Sequence, residues 1–433
     1  MPVRLRPGAP FHYSVGKTSP IGRAADRDSL SKGSDSADKR VTDKRNTFYE
    51  FFAGGGMARA GLGDGWECLF ANDFSPMKAA AYAANWGGEH LVCSDIATVK
   101  ASDLAGKADL AWASFPCQDL SLAGGQKGLG RAKSATATRS GTFWAFCGLI
   151  KRLKREKRAP RMIVLENVCG VLTSSNGGDF GAICAALAGA NYRFGAVVID
   201  AKLFVPQSRQ RVFFIAVEAG AAIPAGIAAS GPSAPWHSKT LIAAQARLTA
   251  TAQKKWVWWN LEKPALRQVV FADLIEQKPK DVKWHTNVET ARILAMMSPV
   301  NLAKVDATLA SGKKCVGAVY KRIRKDASGH KQQRAEVRFD DVSGCLRTPG
   351  GGSSRQTILM VEKGRVRSRL LSAREAARLM GLSDEYKLPP RYNDAYHLVG
   401  DGVCVPVVAH LARQLLMPIV RISNQSAKRR RVG

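Results

Sequence analysis

Three short stretches carry residue types that can do chemistry. Pro116-Cys117-Gln118 follows one apolar run and Glu166-Asn167-Val168 follows another; upstream lies the small-residue turn Phe52-Ala53-Gly54-Gly55-Gly56. A cysteine acts as a nucleophile through its thiolate, and a free thiol ionises only near pH 8.5, so positive charge must stand close by. Arg209 or Arg211 can supply that field. Glu166 ends the run Met162-Ile163-Val164-Leu165, and a carboxyl group there can donate to a ring nitrogen of a pyrimidine. Glycines let the backbone approach a ligand closely. Each stretch also has a plain reading: an inert buried cysteine, a capping or ion-paired glutamate, a tight turn that binds nothing.

These residues need elements to position them. Apolar runs and small-residue breaks predict strands over 46–53, 67–71, 91–93, 109–113, 162–165, 194–200 and 212–217, and helices over 57–62, 76–86 and 142–153. Strand–helix alternation argues an α/β fold, a doubly wound and mostly parallel sheet. All three chemical stretches then fall at carboxyl ends of strands, where such sheets bind ligands. Residues 1–46 read as a flexible basic tail, 219–235 as a linker, and 236–360 as a less regular, β-rich domain. Ser372 with Glu375 predicts a capping box that opens a helix over 372–380. A last helix is expected over 406–417, with Pro418 ending it and a basic tail beyond.

Composition bounds the partners. The 433 residues suffice for two domains, and 65 basic against 35 acidic residues give a formal charge of +30. That charge favours a polyanion. No signal peptide or membrane-length apolar run is expected, which places the protein in the cytoplasm or nucleoid and away from membranes; with no coiled coil or clear dimer face, a monomer is expected. Nine cysteines with no C-x-x-C pair, and seven scattered histidines, argue against a disulfide framework and a metal site. The cysteines other than Cys117 read mostly as small buried apolar residues.

The glycine turn has Arg59 where a dinucleotide fingerprint would place its third glycine, which disfavours NAD. An adenosine cofactor without a pyrophosphate fits better, S-adenosylmethionine first among them. Asp73, nineteen residues after Gly54, can accept from both ribose hydroxyls; Asp95 can accept from an adenine amino group, and Phe74 can stack on the ring.

In their order, these motifs resemble the DNA (cytosine-5) methyltransferase family. They are Phe52 to Gly56, Asn72-Asp73, Asp95-Ile96, Ser114 to Gln118, Gly141-Thr142-Phe143, Glu166-Asn167-Val168, Gln207 to Arg211, Arg369 to Glu375 and Gly400-Asp401-Gly402-Val403. The resemblance covers roughly 47–218 and 365–417. It implies the S-adenosylmethionine-dependent methyltransferase fold, catalysis by Cys117, Glu166, Arg209 and Arg211, and a cofactor held by Phe52, Gly54, Gly56, Asp73, Phe74, Asp95, Ile96, Pro116, Asp401 and Val403. It further implies double-stranded DNA as substrate, a flipped-out cytosine, a covalent adduct of Cys117 with ring carbon 6, and methylation at carbon 5. It admits a cognate restriction endonuclease as a partner and requires no metal. The domains expected are 47–220 completed by 395–420 for catalysis, 221–360 for target recognition, 361–394 as a hinge and 421–433 as a basic tail. Gln118, Ser121, Arg131, Arg139, Arg322, Arg324, Arg347 and Arg355 are the expected DNA contacts. Asp401 departs from the family's usual Asn, which puts cofactor affinity in question. Two rivals remain: a relative acting on tRNA, and a protein that binds DNA without chemistry.

Overall fold

The computed structural model describes residues 45–116, 141–325, 328–347 and 355–432, without the side chains of 426–432. Seven strands form the central sheet: β1 (Asn46–Phe51), β2 (Trp66–Asp73), β3 (Leu91–Cys93), β4 (Leu110–Ala113), β5 (Met162–Val168), β6 (Tyr192–Asp200) and β7 (Gln210–Glu218). Their order is β3-β2-β1-β4-β5-β7-β6, with only β7 antiparallel to its neighbours. A sheet covered on both faces needs apolar residues at consecutive positions, and β5 shows why. Met162 and Val164 enter the core on one face, Ile163 and Leu165 the core on the other. Helices α1 (Met57–Leu62) and α2 (Pro76–Trp86) cover the first face; α3 (Thr142–Arg155) and α4 (Gly178–Gly189) cover the second. The strand order reverses between β1 and β4, so the crevice of this fold opens at their carboxyl ends.

The expected domain boundary shifts. Residues 236–261, assigned from sequence to the second domain, pack on the catalytic sheet. Helices α5 (Lys239–Ala246) and α6 (Ala250–Lys254) bury Leu241, Ala244 and Ala252 there. Strands β8 (Ala228–Ala229) and β9 (Trp258–Trp259) pair beside them. The reason is the edge of the sheet: β6 would expose unpaired backbone groups, and it bonds instead to Lys255 and Val257 through Phe194. Trp259 is fully buried, its Nε1 donating to the Ile215 carbonyl at 3.1 Å.

The second unit is more regular than expected. Helices α7 (Asn287–Ala295) and α8 (Pro299–Ala310) precede β10 (Cys315–Lys325), β11 (Lys331–Arg338), β12 (Thr357–Glu362) and β13 (Arg365–Leu370). The strands form an antiparallel sheet in the order β11-β10-β12-β13. Val319, Val337 and Leu359 face α7 and α8, while Val316, Ala318 and Ile358 join the main core. Much of the expected hinge, 361–394, is therefore strand and packed helix. Helix α9 (Ala373–Leu379) opens with the capping box read from Ser372 and Glu375.

The C-terminal region also departs from expectation. Helix α10 (Tyr392–Asp401) is followed by α11 (Val405–Leu411), a π-helical turn over Ala412–Leu416, and α12 (Met417–Val432). Pro418 does not stop the chain. The wide turn before it alters the hydrogen-bond ladder just where Pro418 has no N–H to give. The stretch Tyr392–Gln425 has the length and apolarity of a membrane span, but Val399, Val407, Leu411 and Leu415 spend that apolarity inside the core.

Candidate active site

The glycine turn sits at the switch point. Gly54 has φ +56°, a left-handed conformation that favours glycine, and a side chain there would extend into open space. Its N–H donates to Asp73 Oδ2 at 2.8 Å, while Asp73 Oδ1 accepts from Ser75 N at 2.9 Å. The buried carboxylate thus pins the turn to the end of β2 and retains lone pairs for a ligand. Gly55 is required for a different reason: a Cβ would lie 2.2 Å from the Tyr386 hydroxyl, which donates to the Gly55 carbonyl at 2.7 Å. Trp86 Nε1 donates to the same carbonyl at 3.0 Å. Phe52, at φ 57°, is a bulky residue in the left-handed region at the end of β1. Neither Trp86 nor Tyr386 was marked in the sequence; no local spacing links them to residue 55.

Arg59, the residue in place of the third glycine, packs over the Tyr82 and Trp86 rings and donates to the Tyr82 hydroxyl at 3.1 Å. It ties α1 to α2, which a glycine would not do. Beneath it lies Glu50 on β1, buried and with Oε2 unpartnered; burial pushes this carboxyl up to about 8. Around the rim, Phe74 is 70 % exposed, a flat apolar face open to a ligand. Asp95 caps the following turn through Ala97 N at 2.9 Å, and Ile96 and Val403 are buried. Asp401, expected among the cofactor contacts, is engaged by Lys78 Nζ at 2.8 Å, bridging α10 to α2.

Across the crevice, the Arg211 Nε stands 3.1 Å from Glu166 Oε1, with both side chains largely buried. The β5–β7 pairing sets this: Val168 faces Arg211 in register, two residues beyond Glu166. Asn167 donates to the Phe115 carbonyl at 3.1 Å, holding the chain that enters Pro116 against the end of β5. Cys117 follows at once but lies outside the described residues, as do Gln118, Ser121, Arg131 and Arg139.

Arg209, expected beside Arg211 in catalysis, has a different setting. It is buried, and its guanidinium donates to the Gly400, Gly402 and Leu346 carbonyls at 3.0, 2.7 and 3.3 Å. These bonds tie β7 to the end of α10, so Arg209 holds the frame while Arg211 faces Glu166. The inert reading of the cysteines also fails in part. Cys68, Cys184 and Cys404 are buried, but Cys93 is exposed and Cys345 lies against arginines. Burial would raise the Cys345 thiol, yet the Arg209 and Arg211 guanidiniums outweigh it and hold it below the ordinary range. Nothing near Cys345 in sequence signals this.

The expected DNA contacts gather elsewhere. Arg322 and Arg324 project from β10 and both meet Glu336. Arg347 is exposed at the end of its described segment, and Arg355 lies over the Tyr392 ring, 5.5 Å from its centroid. Among the described residues no group of three His, Cys, Asp or Glu could hold a metal.

The comparisons with known proteins fit this geometry. The Entamoeba histolytica methyltransferase EhMeth superposes with a TM-score of 0.53, at 13% identity, over 87% of this chain and 98% of that one. The type II methyltransferase M.NlaX of Neisseria lactamica is 24% identical over 380 residues, 87% of this chain and 98% of its own. M.BsuFI of Bacillus subtilis, also a type II methyltransferase, is 30% identical over 191 residues, 44% of this chain and 43% of its own. The fold is that of the S-adenosylmethionine-dependent methyltransferases. The profile of the C-5 cytosine-specific DNA methylases matches residues 46–417, and the chain belongs to that family.

Proposed function

We propose that this enzyme transfers the methyl group of S-adenosylmethionine to carbon 5 of a cytosine flipped out of double-stranded DNA, within a short recognition sequence. The observation that carries the reading is the Glu166–Arg211 pair, set beside the chain entering Pro116 and across the switch-point crevice from the glycine turn. The open space over Gly54, the residual acceptor capacity of Asp73 and the exposed ring of Phe74 suit the adenosine part of that cofactor. When bound, it supplies an electrophilic methyl group on sulfur.

The chain's own residues do the rest. The Cys117 thiolate adds to ring carbon 6 and places the displaced electron pair on the ring. Glu166 holds the ring nitrogen 3 edge and steadies charge there, with Arg211 beside it. After methylation, loss of the carbon 5 proton to a base restores the double bond and expels Cys117. Pairing with Arg211 keeps Glu166 directed at the base without committing both its oxygens.

The test is incubation of the protein with unmethylated genomic DNA and S-adenosylmethionine, followed by base-resolution mapping of 5-methylcytosine. Methylation confined to one short motif is expected, and Cys117→Ser should abolish it. Duplex DNA carrying 5-fluorocytosine should trap the enzyme covalently. Methylation of tRNA but not of DNA would overturn the reading.

A further inference from the structure

On the β10–β11 ribbon, Tyr320 pairs with Glu336, Arg322 with Arg334 and Arg324 with Gln332. Cross-strand partners share a face, and so do residues two apart along a strand. These six side chains therefore form one face. It carries three arginines, two of them directly opposed, and a like-charged pair in that position is destabilising. Glu336 is the one acid on this face. Its Oε1 accepts from both Nε and Nη2 of Arg324, and its Oε2 lies 3.5 Å from Arg322 Nε. Arg322 and Arg324 remain 46% and 51% exposed, Glu336 29%. The base of the same face lines a cavity of about 440 Å³ that also reaches Ser208, Cys345 and Arg347, close to the strand of Arg211.

Resting on the proposed DNA substrate, we infer that Glu336 is a specificity-determining residue that buttresses Arg324 and Arg322 for guanine. Glu336 takes one edge of the Arg324 fork, Nε with Nη2, and leaves Nη1 and the outer Nη2 hydrogen. That outer edge matches the O6 and N7 acceptors that guanine presents in the major groove. The same carboxylate cancels charge that would otherwise seek phosphate, and phosphate attraction is blind to sequence. A two-stranded ribbon is narrow enough to enter the major groove. Glu336 thus exchanges general affinity for discrimination. It touches no reacting atom and acts through the two arginines.

The experiment compares wild type, Glu336→Gln and Arg324→Lys by mapping 5-methylcytosine on a plasmid library, and by titrating random-sequence duplex DNA at several salt concentrations. Glu336→Gln should relax preference at one or more guanine positions about tenfold and bind random duplex more tightly, with a salt slope steeper by about one. Arg324→Lys keeps the charge, loses the fork, and should relax the same position without the tighter binding. An unchanged motif in both variants overturns the inference. If the wild-type protein methylates no DNA, the parent reading fails by itself. The binding arm then decides: equal affinity of wild type and Glu336→Gln for random duplex overturns the role given to Glu336.

Discussion

Among the described residues, two glutamate–arginine pairs lie largely buried, and they are built differently. Glu375 and Arg369 are completely buried where β13 meets α9. Both oxygens of Glu375 are fully taken: Oε1 accepts from Arg369 Nη2 and Glu276 N, each at 2.6 Å, and Oε2 from Arg369 Nη1 and Ser372 N, each at 2.8 Å. Glu166 and Arg211, at the carboxyl end of β5, approach to 3.1 Å through Oε1 and Nε and keep some exposure. A carboxylate with four donors has no capacity for a ligand. One that stays partly exposed beside its arginine can keep capacity along with direction. Saturation separates the pair that holds the fold from the pair proposed to meet the substrate.

The largest expected effect tests the open pair. Glu166→Gln keeps the shape and removes the acid, so methyl incorporation should fall about 10²- to 10⁴-fold, the usual range for a positioned acid–base group. Thermal stability should change little. A variant that unfolds while the residual folded fraction methylates normally would place Glu166 with the structural pair and end the distinction.

Next comes the closed pair. Arg369→Ala leaves the Glu375 carboxylate buried with the Glu276 and Ser372 amides as its donors, and takes a donor from the Leu370 and Glu276 carbonyls. Stripping one partner from a buried ion pair costs about 3–5 kcal/mol. Denaturant unfolding should show that loss, with the motif methylated by the surviving folded enzyme unchanged. A loss below about 1 kcal/mol would mean water or a neighbouring group relieves Glu375, and saturation would not be its defining property.

The two pairs also show what the sequence could reveal. Ser372 and Glu375 stand three apart, and their bonds run to local backbone, so the capping box was legible. Gly54 and Asp73 were legible for a related reason: strand-end positions follow from the alternation of strands and helices, and the bond between them is fixed by the parallel pairing of β1 and β2. Arg369 with Glu276, Tyr386 with Gly55, and Arg209 with Gly400 were not, since each joins side chain to backbone across elements far apart in the chain. The misplaced segment 236–261 has the same cause. What it covers is the edge of β6, and an edge exists only once the strand order is known. Register likewise opposed Arg322 to Arg334, which no spacing on β10 alone predicts.

A third buried glutamate sharpens the comparison, because it has no arginine pair at all. Glu50 lies under the glycine turn, receives the Arg59 N–H at 3.4 Å and leaves Oε2 unpartnered. Burial pushes its carboxyl up to about 8 from an ordinary 4.5; the Arg59 charge opposes that rise and Asp73 adds to it. Below about pH 4.5 the group is protonated in both states. Between there and about 8 the unfolded chain gives up the proton and the folded one keeps it, so stability falls as pH rises. The slope is at most about 1.4 kcal/mol per pH unit. Glu50→Gln removes it, and its stability should gain on the wild type steadily from pH 5 to pH 8, then level off. Parallel stability curves across that window would show that Glu50 is ionised in the fold.

The smallest effect belongs to the most exposed pair. Lys78 and Asp401 meet at 2.8 Å, with side chains 19% and 37% exposed. Solvent screens such a contact, and pairs of this kind contribute about 0.2–1 kcal/mol. The family's usual residue at position 401 is Asn, so Asp401→Asn restores the common pattern and releases Lys78 beside the cofactor crevice. We expect the variant to fold normally, with kcat unchanged and KM for S-adenosylmethionine shifted no more than about fivefold, the range that about 0.2–1 kcal/mol allows. A tenfold change in KM would mean that Asp401 faces the ligand directly when it binds, and the ion pair with Lys78 would then belong with Glu166 among the pairs that open for a substrate.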